Sequence, residues 1–467
     1  MSVLVTGAED FLASAHTVDT PLTPDPEAFL RERAAASAFR VEQVPLGALT
    51  DWHLGEDRIG HRSGRFFTVE GLAVRTNFGS TPHWCQPVIV QPDIGVLGIL
   101  VKRIEGVRHF LMQTKMEPGN SALVQYSATV QATPSNYQRV HGGKATPYLD
   151  YFLRPGRRAV VFDQLLSEHS SWYLYKRNRN MIVEIPPHEE VPVGEEFTWL
   201  TLGQLRRLLA LGNRVNMNAR TVLSAITYAT RTYATRTDAA RQRGECQGFH
   251  AEVVRSHQRQ TSDGDLARAM TWLIDQKARF DLDVRRIALR EMAGWTCDEQ
   301  SIRHDEGRYF QIVGLSVGAT SREVAAWAQP MLRPNPGNVV AFVCRCRRGT
   351  LEFLVQAMAQ PGATDRVELA ATIQLTPGNY DGPQDHPPLA GLLDCDPSWR
   401  VVDAVQSEDG GRFQHADTRH VVIRVPDDEA VEAPAHYRWM SLGLLNRLMR
   451  LGYYVNVETR SLMACLL

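Results

Sequence analysis

The chain has 467 residues, too many for one ordinary hydrophobic core, so length alone points to two or three domains. Hydrophobic residues make up 43% and charged ones 22%, the balance of a globular protein rather than a disordered or fibrous one. A formal net charge of −1, no long apolar run and no basic-then-apolar leader argue against a nucleic-acid or membrane partner and for the cytoplasm.

Residues 1–24 read as an arm, folded on its own chain or exchanged between subunits. Residues 26–37 have helical spacing, with Asp25 as N-cap and Pro26 at the first helical position. Short apolar runs follow at 66–74, 96–102, 109–113, 124–130, 159–165 and 181–185, broken by Gly and Pro as strands are. Thr201 then caps a helix whose Leu202, Leu205, Leu208 and Leu209 share one face, and Gly212 ends it. A polar stretch, 226–264, reads as a linker holding a short helix. After it the pattern starts again, closing on Ser441, Leu442, Leu445, Leu448 and Gly452.

The second pattern is a copy of the first. Gly64-Arg65-Phe66-Phe67 recurs as Gly307-Arg308-Tyr309-Phe310, Trp84-Cys85-Gln86-Pro87 as Trp327-Ala328-Gln329-Pro330, and Thr133 to Tyr137 as Thr376 to Tyr380, all at one offset. Three residues are lost after Tyr137, and Glu168 and Arg179 then meet Glu408 and Arg419. The expected fold class is α+β, a tandem duplication of a mixed-sheet domain, with repeats at 25–225 and 265–467.

The duplication sorts candidate residues without any other sequence. Arg65, Trp84, Gln86, Gln131, Asn136, Tyr137, Glu168 and Arg179 persist in the second copy as Arg308, Trp327, Gln329, Gln374, Asn379, Tyr380, Glu408 and Arg419. They serve either the fold or an ancestral ligand pocket, and an Arg–Glu pair inside the fold explains the last two as well as ligand contact does. Other groups stand in the first copy alone: Lys115 faces Met358, Glu117 faces Gln360, Tyr126 faces Leu369, and Lys176-Arg177 faces Ala416-Asp417. His141 and Lys144 fall where the second copy is shorter. Only five lysines exist, and Lys102, Lys115, Lys144 and Lys176 all belong to the first copy, leaving Lys277. Lys115, Glu117 and His141 are therefore the candidate acid–base groups, and the second pocket is expected to be degenerate. The seven cysteines are scattered without zinc spacing, which predicts buried free thiols and no metal site.

The strings Lys115-Met116-Glu117-Pro118-Gly119-Asn120, Val130 to Tyr137, Val140-His141-Gly142-Gly143 and Lys176-Arg177-Asn178-Arg179-Asn180 resemble those of the NDP-hexose 2,3-dehydratases, across both repeats. The resemblance implies a homodimer with a Nudix-like fold in each half. It also implies a dTDP-4-keto-6-deoxyhexose substrate, a 3,4-diketo-2,6-dideoxy product and a place before a 3-ketoreductase. The Nudix metal-binding box is missing from both repeats, and no P-loop or dinucleotide fingerprint is present, so no cofactor is expected. None is required. A C-4 ketone acidifies the C-3 hydrogen, a base removes it, and the C-2 hydroxyl leaves with help from an acid. Lys176, Arg177 and Arg179 are then candidates for the diphosphate, and an aromatic face such as Trp84 for thymine. A transferase or hydrolase acting on the same nucleotide sugar lacks a motif here. A non-catalytic nucleotide-sugar binding protein remains the alternative.

Overall fold

The computed structural model describes residues 11–134, 146–228, 248–259, 261–319 and 325–467. Local signals act as their chemistry requires. Asp25 accepts from the Ala28 amide and starts the helix Pro26–Ala35. Thr201 and Gln204 form a reciprocal capping box at the head of Leu202–Leu211, and Gly212 follows it at φ 72°. Ser441 caps Leu442–Met449 by accepting from the Leu444 amide, without a returned bond, and Leu442, Leu445 and Leu448 are buried.

Each half is built on a mixed seven-stranded sheet. In the first, Ala159–Ser167, Arg177–Ile185, Gly95–Ile104, Val107–Met116 and Phe197–Leu200 lie in that order, and Arg177–Ile185 runs parallel to Gly95–Ile104. In the second, Asp417–Arg424 runs parallel to Asn338–Arg347 in the equivalent place. Two five-stranded sheets are of mixed parentage. The strand Phe39–Val44 leaves its own repeat and pairs antiparallel with Phe310–Ala319 of the other, from Phe39↔Ala319 to Val44↔Gly314. Leu282–Ile287 returns the exchange by pairing with Thr68–Thr76.

A further reciprocity ties the halves together. Arg220 and Arg460 are fully buried. Arg220 donates to the carbonyls of Val215 and Ser407 and to Ser461 Oγ. Arg460 donates to the carbonyls of Val455 and Ser167 and to Thr221 Oγ1. Each guanidinium thus satisfies carbonyls that the packing of one half on the other has taken out of water. One hydrophobic cluster runs through both halves, joining Phe110 and Leu205 to Phe353 and Leu445.

Two segments outside the expected repeats pack against them. The helix Leu12–His16, expected in an arm, packs on its own chain: Ser14 Oγ donates to the Arg108 carbonyl and accepts from the Leu202 amide. The helix Gly248–Gln258, expected in a linker, does the same for the second half, where Ser256 Oγ donates to the Leu351 carbonyl and accepts from the Leu442 amide. Arm and linker therefore contribute equivalent helices to the two halves. The cysteines also differ from expectation. Among the described ones only Cys344 is buried, and Cys297 is exposed. Among the described residues no helix is long and apolar enough to cross a membrane.

Candidate active site

The strand Val107–Met116 delivers Lys115 at its end and runs into Glu117-Pro118-Gly119-Asn120. This loop is pressed against the second half. The Gly119 amide donates to the Gly410 carbonyl, and a Cβ on Gly119 would lie 1.7 Å from the Phe413 oxygen, so no larger residue fits. Beside it opens a cavity of about 1080 Å³ whose walls come from both halves.

Glu117 is buried at the inner end of the cavity. Its Oε1 accepts from Gln131 Nε2 at 2.7 Å, and its Oε2 from the side-chain amides of Asn120 and Asn216, each at 3.4 Å. Gln131 is itself aimed by Ser127 Oγ at 2.9 Å and Asn216 Nδ2 at 3.2 Å. The carboxylate is held by neutral amides and, among the described residues, forms no ion pair. Such a group is oriented toward the cavity by hydrogen bonds alone. Lys115 Nζ donates to the Gln131 carbonyl at 3.5 Å.

Lys176 is buried on the cavity wall and donates to the carbonyl and carboxylate of Asp93. Burial pulls its pKa down, against the opposing charges of Asp93 and Glu168. Asn178 lines the cavity and donates to Glu168 at 2.7 Å, and burial pushes that carboxyl up against the pull of Arg460. Tyr173 donates to Asp409 at 2.7 Å; its phenol is raised by burial and by that carboxylate, so it stays protonated. The outer end is aromatic. Trp52 meets Phe67 at 4.8 Å and His61 at 5.4 Å, and Phe66 stands against His61 at 4.7 Å.

Of the candidates read from sequence, Lys115, Glu117, Gln131 and Lys176 meet in this cavity. Trp327 and Gln329 line it too, although they were expected in a second pocket. The strand exchange explains the correction: Ala326–Pro334 pairs with Phe310–Ala319, whose other edge carries Phe39–Val44, so the second repeat's strand lies over the first repeat's cleft. Trp84 and Gln86 do not line it. They bond to each other, and Gln86 donates to the Ser171 carbonyl.

The expected arginine clamp also needs correction. Arg179 is held by both oxygens of Asp163, at 2.8 and 2.7 Å, and Arg419 is likewise held by Asp403; neither lines the cavity. The partner is thus an aspartate across the sheet rather than Glu168 or Glu408. Arg177 turns to the Tyr453 hydroxyl. Arg65 is exposed at a turn. Arg308 pairs with Glu306 and Asp381, Asn379 accepts from the Tyr309 amide at 2.8 Å, and Tyr380 packs on His386. Gln374 takes a bond from Asn456 at 3.0 Å, the mirror of Gln131 with Asn216. Glu408 is buried against His169 and Arg220. Asn136, Tyr137 and His141 lie outside the described residues.

Sequence reading missed Asn216, Asn218, Asp409 and Arg412. Asn216 had a signal, since Asn216 to Arg220 recurs around Asn456 and Arg460. Asp409 and Arg412 had none, because they belong to the copy that lacks counterparts of Lys115 and Lys176.

A model of the family described as NDP-hexose 2,3-dehydratase matches the chain twice, over residues 24–226 and 266–466. The chain is 41% identical over 463 residues to a dTDP-4-dehydro-6-deoxy-alpha-D-glucopyranose 2,3-dehydratase of Saccharopolyspora spinosa, covering 98% of this chain and 94% of that one. It is 40% identical to a protein of the same description from Amycolatopsis orientalis, covering 98% and 93%. With one from Streptomyces violaceoruber it shares 42% identity, covering 94% and 95%.

Proposed function

The chain belongs to the NDP-hexose 2,3-dehydratase family, and from that premise we propose that the cleft of the first half is where its chemistry takes place. The reaction is loss of water from dTDP-4-keto-6-deoxy-D-glucose. The C-3 proton goes to a base, the C-2–O bond breaks as its oxygen receives a proton, and the resulting 2,3-enol becomes a C-3 ketone. No electrons leave the substrate, so the steps require only placed acids, bases and donors.

The observation that carries this reading is the setting of Glu117, a buried carboxylate aimed by three neutral amides at a cavity that also holds Lys115 and Lys176. Glu117 takes the C-3 proton. The two ammonium groups supply the donor to the enolate oxygen and the proton for the departing hydroxyl. Lys176, whose pKa burial lowers, gives up a proton more readily than an ordinary lysine.

The same proposal includes a homodimer, a Nudix-like character for each half, and a 3-ketoreductase as the consumer of the product, all supported by the family resemblance. The test is incubation with dTDP-4-keto-6-deoxy-D-glucose, trapping the diketone with a 3-ketoreductase. Turnover with loss of one water per substrate is expected, and Glu117→Gln is expected to abolish it. Binding without turnover in the wild-type protein would mark a nucleotide-sugar binder instead. Sedimentation velocity reads the oligomeric state.

A further inference from the structure

The first half brings an acid–base cluster to the cleft while two of its arginines are engaged elsewhere, Arg179 by Asp163 and Arg177 by Tyr453; its Arg33 lines the cavity and donates to the Glu195 carbonyl. A nucleotide-sugar diphosphate in the cavity would gain from a further cation beside Lys176. The second half supplies one. After the strand Arg400–Ser407 the chain turns through Asp409 to Arg412, and Asp409, Gly411 and Arg412 all line the first half's cavity.

The guanidinium of Arg412 lies over the Phe67 ring, 4.4 Å from its centre. Its Nε donates to Gln91 Oε1 at 3.1 Å and its Nη1 to the Gly411 carbonyl at 2.7 Å. The head group is thus fixed by one ring and two neutral acceptors, and among the described residues it forms no ion pair. Arg412 and Lys176 also stand close enough for their charges to oppose each other. Lys176 has the Asp93 carboxylate as its partner, so it is Arg412 whose charge in a partly desolvated cleft is costly until an anion binds. The nearby Asp409 does not fill that role, since it accepts from Tyr173.

We infer that Arg412, delivered by the second half, anchors the diphosphate of the nucleotide sugar in the cleft of the first half. The inference rests on the reading of that cleft as the dehydratase site and adds that neither half recognises substrate alone. Position supports it. The diphosphate is attached at C-1, one bond from the carbon that loses its hydroxyl, so the anchor must lie beside the acid–base groups. Gly411 places it there, for a Cβ on that residue would be 4.0 Å from Glu117 Oε1. On the other side, Phe67 joins Arg412 to Trp52 and His61, where a pyrimidine has aromatic faces to meet. The counterpart of Arg412 in the other half is Trp172, which stacks on His169 at 5.1 Å, so this cation was not inherited by both copies.

The experiment compares Arg412→Gln and Arg412→Lys with the wild-type full chain, titrating dTDP and, separately, thymidine by calorimetry. Loss of a charge-assisted bidentate contact lowers affinity about ten- to a hundredfold. That loss is expected for dTDP with the glutamine variant, a smaller one with lysine, and none for thymidine. Unchanged dTDP affinity, or an equal loss for thymidine, overturns the inference. Circular dichroism checks the fold; should the glutamine variant not fold, the lysine variant is read against the same two ligands. Turnover of Glu117→Gln is measured alongside. If it stays active, the reading of the site fails, whereas a dead Glu117→Gln with an unaffected Arg412→Gln removes the anchor alone.

Discussion

The two halves share a fold and differ in what fills the equivalent space. Where the first has Lys115, Glu117, Lys176 and Asn218 around an open cavity, the second has Met358, Gln360, Ala416 and Glu458. Where the first half's cleft receives Asp409 and Arg412, the second half's receives His169 and Trp172. His169 is clamped between Glu408 at 3.1 Å and Glu458 at 3.2 Å and stacked under Trp172. In the second site His169 is matched by carboxylates of the chain, while in the first Lys176 pairs with Asp93 and Arg412 forms no ion pair among the described residues. The residues that join the halves tell the opposite story, since Arg220 and Arg460 bond alike. The interface keeps one geometry in both copies, whereas the residues at the two equivalent sites have diverged.

The sharpest way to break this comparison is at Glu117. Glu117→Gln should lower turnover by about 10²–10⁴-fold, the usual range for a lost general base, while Gln360→Glu leaves it within a few-fold. A dead Gln360→Glu would mean that the second half takes part in the chemistry directly. Next come the buried arginines. Arg220→Met and Arg460→Met each leave carbonyls and a carboxylate without their cation, which costs about 3–5 kcal/mol. Urea unfolding should show similar losses for the two, and a large inequality would deny the reciprocity.

Trp327→Ala should raise KM through lost stacking on the base, worth about 1–3 kcal/mol. Trp84→Ala, its partner in sequence, should leave KM unchanged, because Trp84 is outside the cleft. Equal effects would break the assignment of the strand Ala326–Pro334 to the first site.

The mildest effect is a pH dependence. Burial alone would lower the His169 pKa, but Glu408 and Glu458 outweigh it and raise it to about 10. A raised histidine stabilises fully below its unfolded value near 6.5, and that contribution is lost as pH rises through about 10. Burial likewise works to raise Glu408, but His169 and Arg220 bring it to about 2, so its contribution is present above the ordinary carboxylate range and is lost as pH falls through about 2. Thermal stability should therefore fall toward pH 10, and His169→Gln, costing about 1–3 kcal/mol near neutrality, should flatten that slope. An unchanged slope would remove His169 from the account.

Much of this protein is written locally. Asp25, Thr201 and Ser441 announce helices because a cap bonds an amide two or three residues on. Alternating apolar runs announce strands, and the internal identities announce the duplication. The contrast between Lys115 with Glu117 and Met358 with Gln360 pointed to the half where the structure opens a cavity around both groups. Three features were decided only by the tertiary fold: the exchange of Phe39–Val44 for Leu282–Ile287, the passage of Trp327 into the first cleft, and the arrival of Arg412 there. A strand's own residues say that its edges need partners but not which distant strand will bond to them. That choice, and with it the cavity a side chain enters, is made when two whole halves pack.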